Sequence, residues 1–288
     1  MSAMTPARYA ERYLNLEVPF DDGPTTVRIS KYHIGEPDAE QGQLWQALKE
    51  HFQKNKQGNP GFRLRLRVNG EPAEFSTVQE MLHRVANPFW GKGSPEDCQI
   101  VLQLAVLLGR AKKLALQTYC DTHLGLDCNG FVGNYIFRIL RANGWRGDAA
   151  DEAVGPSATI TAIMSKSGGL AIHTVDEMVP GRNYVLAEVD AGNRIIPGGP
   201  NSTPGHIVMT EPGRYMNSYM SMNLDLANSG TLGNPAFWGT ESTGGFGLVQ
   251  SWYVIQQLMN GTKPVDGVFR VYRGSKGRFL NFRIIALA

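Results

Sequence analysis

Apolar residues recur every three or four positions through much of the first half of the chain, and every second position or in short unbroken runs through the second half, so helices are expected early and strands late. Leu44, Trp45, Leu48 and Phe52 make one helical stripe that stops near Gly58. Arg63 to Val68 alternates arginine with apolar side chains and runs into Asn69-Gly70, the pattern of a half-buried strand entering a tight turn. Ser76-Thr77-Val78-Gln79 opens a capped helix through Met81, Leu82 and Val85, which Asn87-Pro88 is expected to close. A second capped start, Ser94-Pro95-Glu96-Asp97, leads into a long apolar helix running toward Leu114. Phe131, Val132, Tyr135, Ile136, Ile139 and Leu140 mark a third helix, beginning at Cys128 and stopping at Asn143-Gly144.

After a short helical stretch at Ser157 to Met164, strands are predicted at Asn183 to Val189, Gly205 to Thr210, Tyr219 to Leu226, Gly247 to Ile255, Val268 to Tyr272 and Phe279 to Leu287. Pro212-Gly213 is expected to reverse the chain, which sets the Tyr219 strand antiparallel to the Gly205 strand. The Gly/Pro-bearing joint from Asn87 to Gly93 divides the chain into an N-terminal elaboration of α/β character, residues 1–90, and a main domain, residues 91–288.

Composition narrows the function classes. With 288 residues and a formal net charge of +2, the chain has no strong electrostatic pull toward nucleic acid or an anionic membrane. Arg63, Arg65 and Arg67 share one strand face, yet no aromatic platform accompanies them, so a solvated face accounts for them as well as a phosphate grip does. Three cysteines are too few for a disulfide framework. No apolar stretch is long enough to span a bilayer and the N-terminus lacks a signal-peptide pattern, so synthesis in the cytoplasm without a classical export signal is expected.

The chemistry centres on Cys128. The first turn of a helix presents unpaired N–H groups and partial positive charge, which favours a thiolate, and Asp127 stands at the N-cap. A thiolate nucleophile needs a base, and His206, opening a strand after a glycine-bearing loop, is the histidine best placed to supply one. A zinc site using Cys120, His123 and Cys128 lacks a second ligand pair, and the glycines of Gly244 to Gly247 lack the lysine of a phosphate-binding loop. No metal and no cofactor are called for.

Asp127-Cys128-Asn129-Gly130-Phe131-Val132 resembles the nucleophile motif Asp-Cys-Ser-Gly-Phe/Leu-Val of the NlpC-type cell-wall peptidases, papain-like cysteine enzymes related to the CHAP amidases. Pro180-Gly181-Arg182-Asn183-Tyr184-Val185-Leu186 resembles the segment that opens the family's next strand, and His206-Ile207-Val208-Met209 its base strand. Asn129 stands where the family has serine, and only Tyr119 lies near the place of its aromatic-Gly-Gly segment. The resemblance implies a papain-like α+β fold with the nucleophile helix packed on an antiparallel sheet, and cleavage of amide or peptide bonds in peptidoglycan stem peptides through a thioester. It makes Cys128 the nucleophile and His206 the base, and places Tyr119, Asp127 and Asn129 near the substrate. Asn223 is the first choice to orient His206, with Asp225 and Ser221, on the same strand face, as alternatives.

A peptide or peptidoglycan is the expected partner. A non-classical route to the periplasm or wall, with an immunity or inhibitor protein, would go with it. The rival readings are an acyltransferase or non-wall peptidase of the same clan, and a non-catalytic module that binds a glycan or protein.

Overall fold

The computed structural model describes residues 4–34, 38–144, 154–198, 205–217 and 234–287. The chain divides into two compact units: an N-terminal unit of Arg8–Asn134 with Ser242–Leu248, and a barrel unit of Met1–Ala7, Tyr135–Glu241 and Val249–Ala288.

The N-terminal unit is mainly helical. Helix α1 (Pro6–Leu14) leads into the paired strands β1 (Leu16–Val18) and β2 (Thr25–Val27), and then into helix α2 (Ala39–Gly58), which buries Leu44, Leu48 and Phe52 of its predicted stripe and leaves Trp45 half-buried. Strands β3 (Leu64–Val68) and β4 (Glu71–Phe75) form a hairpin in which Asn69 and Gly70 both adopt positive φ, the backbone that a two-residue turn of this hand requires. On its exposed face Arg63 and Arg65 pair with Glu74. Helix α3 (Leu82–Phe89) carries Pro88 within its last turn rather than ending before it. Helix α4 (Pro95–Leu107) starts at a complete capping box, with Ser94 Oγ accepting from Asp97 N–H at 3.1 Å and Asp97 Oδ2 accepting from Ser94 N–H at 3.2 Å. Most of α4 from Cys98 to Ala105 is buried, and it stops before Leu114 because Gly109 turns the chain at φ +71°. Helix α5 (Leu116–His123) precedes α6 (Cys128–Ala142), whose first turns belong to this unit.

The barrel unit holds the rest of α6, helix α7 (Ile160–Lys166) and the strands β5 (Leu170–Ala171), β6 (Tyr184–Glu188), β7 (Ile207–Asn217), β8 (Pro235–Thr243), β9 (Gly247–Asn260), β10 (Lys263–Arg273) and β11 (Arg278–Ala286). The strand order is β10-β9-β8-β7-β6-β11-β5, and β10 also pairs with β11, so six antiparallel strands close into a barrel and β5 adds outside it. The tip of the β8–β9 hairpin, from Ser242 to Leu248, belongs to the N-terminal unit, where Leu248 N–H donates to Ser30 O at 2.9 Å.

This closed barrel corrects the expectation of a papain-like α+β fold with a helix packed on a sheet. The physical reason lies in β10, which is hydrogen-bonded along both edges and so leaves the six strands no free edge. All six contribute to one apolar cluster: Tyr184 and Leu186, Val208, Phe237, Tyr253 and Ile255, Phe269 and Val271, Phe282 and Ile284. Where a strand gives two of them they are two residues apart, the spacing of one face of a strand. Gly239 belongs to the same packing, since a Cβ there would lie 2.4 Å from the Tyr253 ring.

A second correction concerns Pro212-Gly213. The chain does not reverse there: β7 runs through the pair to Asn217, and its register with β8 shifts between Thr210 and Tyr215. The irregularity absorbs a proline within a strand. Among the described residues no helix is long and apolar enough to cross a membrane.

Candidate functional site

Two groups of buried polar side chains are candidates, one in each unit. At one mouth of the barrel β7 begins, β6, β8 and β10 end, and β11 begins. His206 precedes β7 and lies two residues from Val208, Glu241 lies four from Phe237, and Arg273 lies two from Val271. Strand periodicity therefore turns all three toward the face that carries the apolar cluster. The register supports this, because the pair Met209–Thr240 sets Val208 opposite Glu241.

His206 Nε2 is hydrogen-bonded to Glu241 Oε2. Arg273 Nη2 donates to the same oxygen at 2.5 Å and lies 2.9 Å from His206 Nε2, while Ser275 Oγ donates to Glu241 Oε1. His206 is 7% exposed and Glu241 fully buried. Burial pushes the Glu241 carboxyl up, but the His206 hydrogen bond and charge, then Arg273 and Ser275, more than reverse this and hold it at about 2. Burial pushes His206 below its ordinary value, and the Arg273 and Lys276 charges add to this against the pull of Glu241.

These charges fix the tautomer. Glu241 is a carboxylate and only accepts, so the proton between it and the imidazole sits on Nε2, and the Arg273 guanidinium, which only donates, makes its bond to Glu241 Oε2 and not to Nε2. In neutral His206, Nδ1 then holds a lone pair. No hydrogen bond to Nδ1 forms among the described residues.

The second site is the start of α6. Cys128 is its first residue, 5% exposed, with Sγ 3.7 Å from Asn129 Oδ1. Asp127 caps the helix by accepting from Gly130 N–H, and its carboxylate pairs with Lys92 Nζ at 2.5 Å. Burial pushes the Asp127 carboxyl above its usual range, with the Lys92 charge opposing. Asn129 is also buried. Tyr119 lies on α5, 7% exposed, and its hydroxyl donates to Glu40 Oε1 at 3.2 Å, a carboxylate that Arg110 also holds. None of the three cysteines is in a disulfide. Burial raises Cys98 well above the ordinary thiol range and Cys120 to about 12.

Cys128 thus belongs to the N-terminal unit and His206 to the barrel unit. Asn223, Asp225 and Ser221 lie outside the described residues. His123 is paired with Asp38 at 2.8 Å and His173 with Asp266 at 2.9 Å. No group of His, Cys, Asp and Glu among the described residues is arranged to hold a metal. Sequence reasoning missed Glu241, Arg273 and Ser275. The signal for Glu241 was an acid in the otherwise uncharged stretch Asn234 to Gly247.

Comparison of the chain with protein-family models, curated proteins and solved structures gave no match.

Proposed function

We propose that this chain is a cysteine hydrolase of amide or peptide bonds, with Cys128 as nucleophile, His206 as base and Glu241 as the group that orients the base. The observation that carries the reading is the Nε2–H to Glu241 bond, which leaves Nδ1 of a buried, neutral imidazole unprotonated. The orienting role first assigned to Asn223 passes to Glu241 in this proposal.

His206 Nδ1 takes the Cys128 proton and the thiolate attacks the carbonyl carbon. The resulting oxyanion is stabilised by N–H groups at the α6 start, including that of Cys128. Collapse breaks the C–N bond as His206 returns its proton to the leaving amine, giving a thioester. Water, deprotonated by His206, then attacks the thioester and releases the acid and the thiol. Arg273 balances the buried Glu241 charge, and its own charge adds to burial, the larger cause, in keeping His206 neutral and able to accept a proton near pH 7.

The substrate class follows from the motif likeness to the NlpC-type peptidases, carried over as a likeness of local motif and order without their fold. It points to stem peptides of bacterial peptidoglycan. Mass spectrometry of purified muropeptides should show cleavage with addition of one water by the wild type and none by Cys128→Ala. Cleavage retained in that variant, or no cleavage by the wild type, would overturn the reading.

A further inference from the structure

We propose that Lys92 is a positioning residue for the nucleophile, holding the start of α6 through its backbone and balancing the Asp127 charge beside Cys128 through its ammonium. The proposal rests on the reading of Cys128 as nucleophile and adds a residue that no motif singled out.

The Gly91-Lys92 strap grips the helix start at three points. Gly91 O accepts from Asp127 N–H at 3.0 Å, Lys92 O accepts from Asn134 Nδ2 at 3.0 Å, and Lys92 Nζ meets Asp127 Oδ2 at 2.5 Å. The approach is too close for side chains: a Cβ on Gly91 would fall 2.3 Å from His33 O, and one on Gly130 1.9 Å from Gly91 O. Gly91 also holds φ at +71°, where glycine is at ease. Lys92 and Asp127 are largely withdrawn from water, at 18% and 13% exposure of their side chains, so their attraction is weakly screened.

The charges explain why a lysine is needed. A carboxylate at the N-cap stabilises the helix but opposes a thiolate one residue further on. Lys92 cancels that opposition and leaves the helix-start field to act on the sulfur. Within this unit His33 is the other ionisable group whose charge bears on Asp127.

The test is the pH dependence of Cys128 alkylation by iodoacetamide, followed for each cysteine by mass spectrometry. Lys92→Met should move the Cys128 midpoint up by about one pH unit and Asp127→Asn should move it down. The double variant should return it close to wild type, and Lys92→Arg should leave it in place. Asp127→Asn keeps an acceptor for the cap and carries the test should Lys92→Met fail to fold. A wild-type Cys128 that reacts like an ordinary thiol would defeat the nucleophile reading itself. A reactive Cys128 whose midpoint neither variant moves would overturn the role of Lys92 alone.

Discussion

Glu241 in the barrel mouth and Asp127 at the α6 start are both carboxylates withdrawn from water, each in contact with or adjacent in sequence to a proposed catalytic group, yet their acidities move in opposite directions. In both, burial is the largest influence and favours the neutral acid. Glu241 overcomes it because three side chains donate to it, one of them a guanidinium. Asp127 has one ammonium and one backbone N–H, and stays above its ordinary value. A buried acid is thus a strong anchor for a base only where donors surround it, and an acid left partly uncompensated adjusts to its surroundings at the expense of its charge.

The largest expected effect comes from removing the better compensated charge. Glu241→Gln leaves Arg273 buried without its counter-ion and should lower stability by about 3 kcal/mol in urea unfolding. Loss of the oriented base should cut turnover roughly 10²–10⁴-fold. Arg273→Met should raise the His206 pKa, since a cation is removed while Glu241 remains. The acid limb of the kcat/KM profile, expected below pH 6.5 in the wild type, should then move upward.

Acid unfolding separates the two carboxylates by sign. The folded-state pKa of Glu241 is depressed, so its contribution is present above the unfolded value near 4.3 and is lost as pH falls toward about 2. The stability gap between wild type and Glu241→Gln should therefore narrow across that window. The Asp127 pKa is raised, so protonation on acidification relieves a cost instead, and Asp127→Asn should show no such narrowing. At pH 7, Ser275→Ala, which removes one donor to a charged acceptor, should lower stability by about 1–2 kcal/mol. Asp127→Asn keeps the cap acceptor and removes a charge whose burial cost offsets its pairing with Lys92, so it should change stability by about 1 kcal/mol or less, the smallest effect of the set.

Local patterns were legible wherever one element carried its own signal. The α2 stripe, the Ser94 box of α4, the start and stop of α6 and the Asn69-Gly70 hairpin all depend on neighbours within a few positions, and all are where the sequence places them. Strand β8 was not legible. Pro235, Gly239 and a polar Thr-Glu-Ser-Thr end carry no strand pattern, and burial on both faces leaves no alternation to find. For the same reason Glu241, which lies on that strand, escaped notice. Pro212-Gly213 read as a turn because turn chemistry is local, whereas the register shift that lets β7 continue depends on its pairing with β8.

By itself, then, the sequence determined the helices, most strands and the capped position of Cys128, because each follows from residue type and short-range spacing; Cys128 and His206 come from it as proposed catalytic residues. Tertiary structure alone decided that the strands close into a barrel and that Glu241, 35 residues from His206 along the chain, becomes its partner. Closure depends on which strand meets β10, and the partner on the β7–β8 register; both are pairings between distant segments, and no local periodicity encodes them.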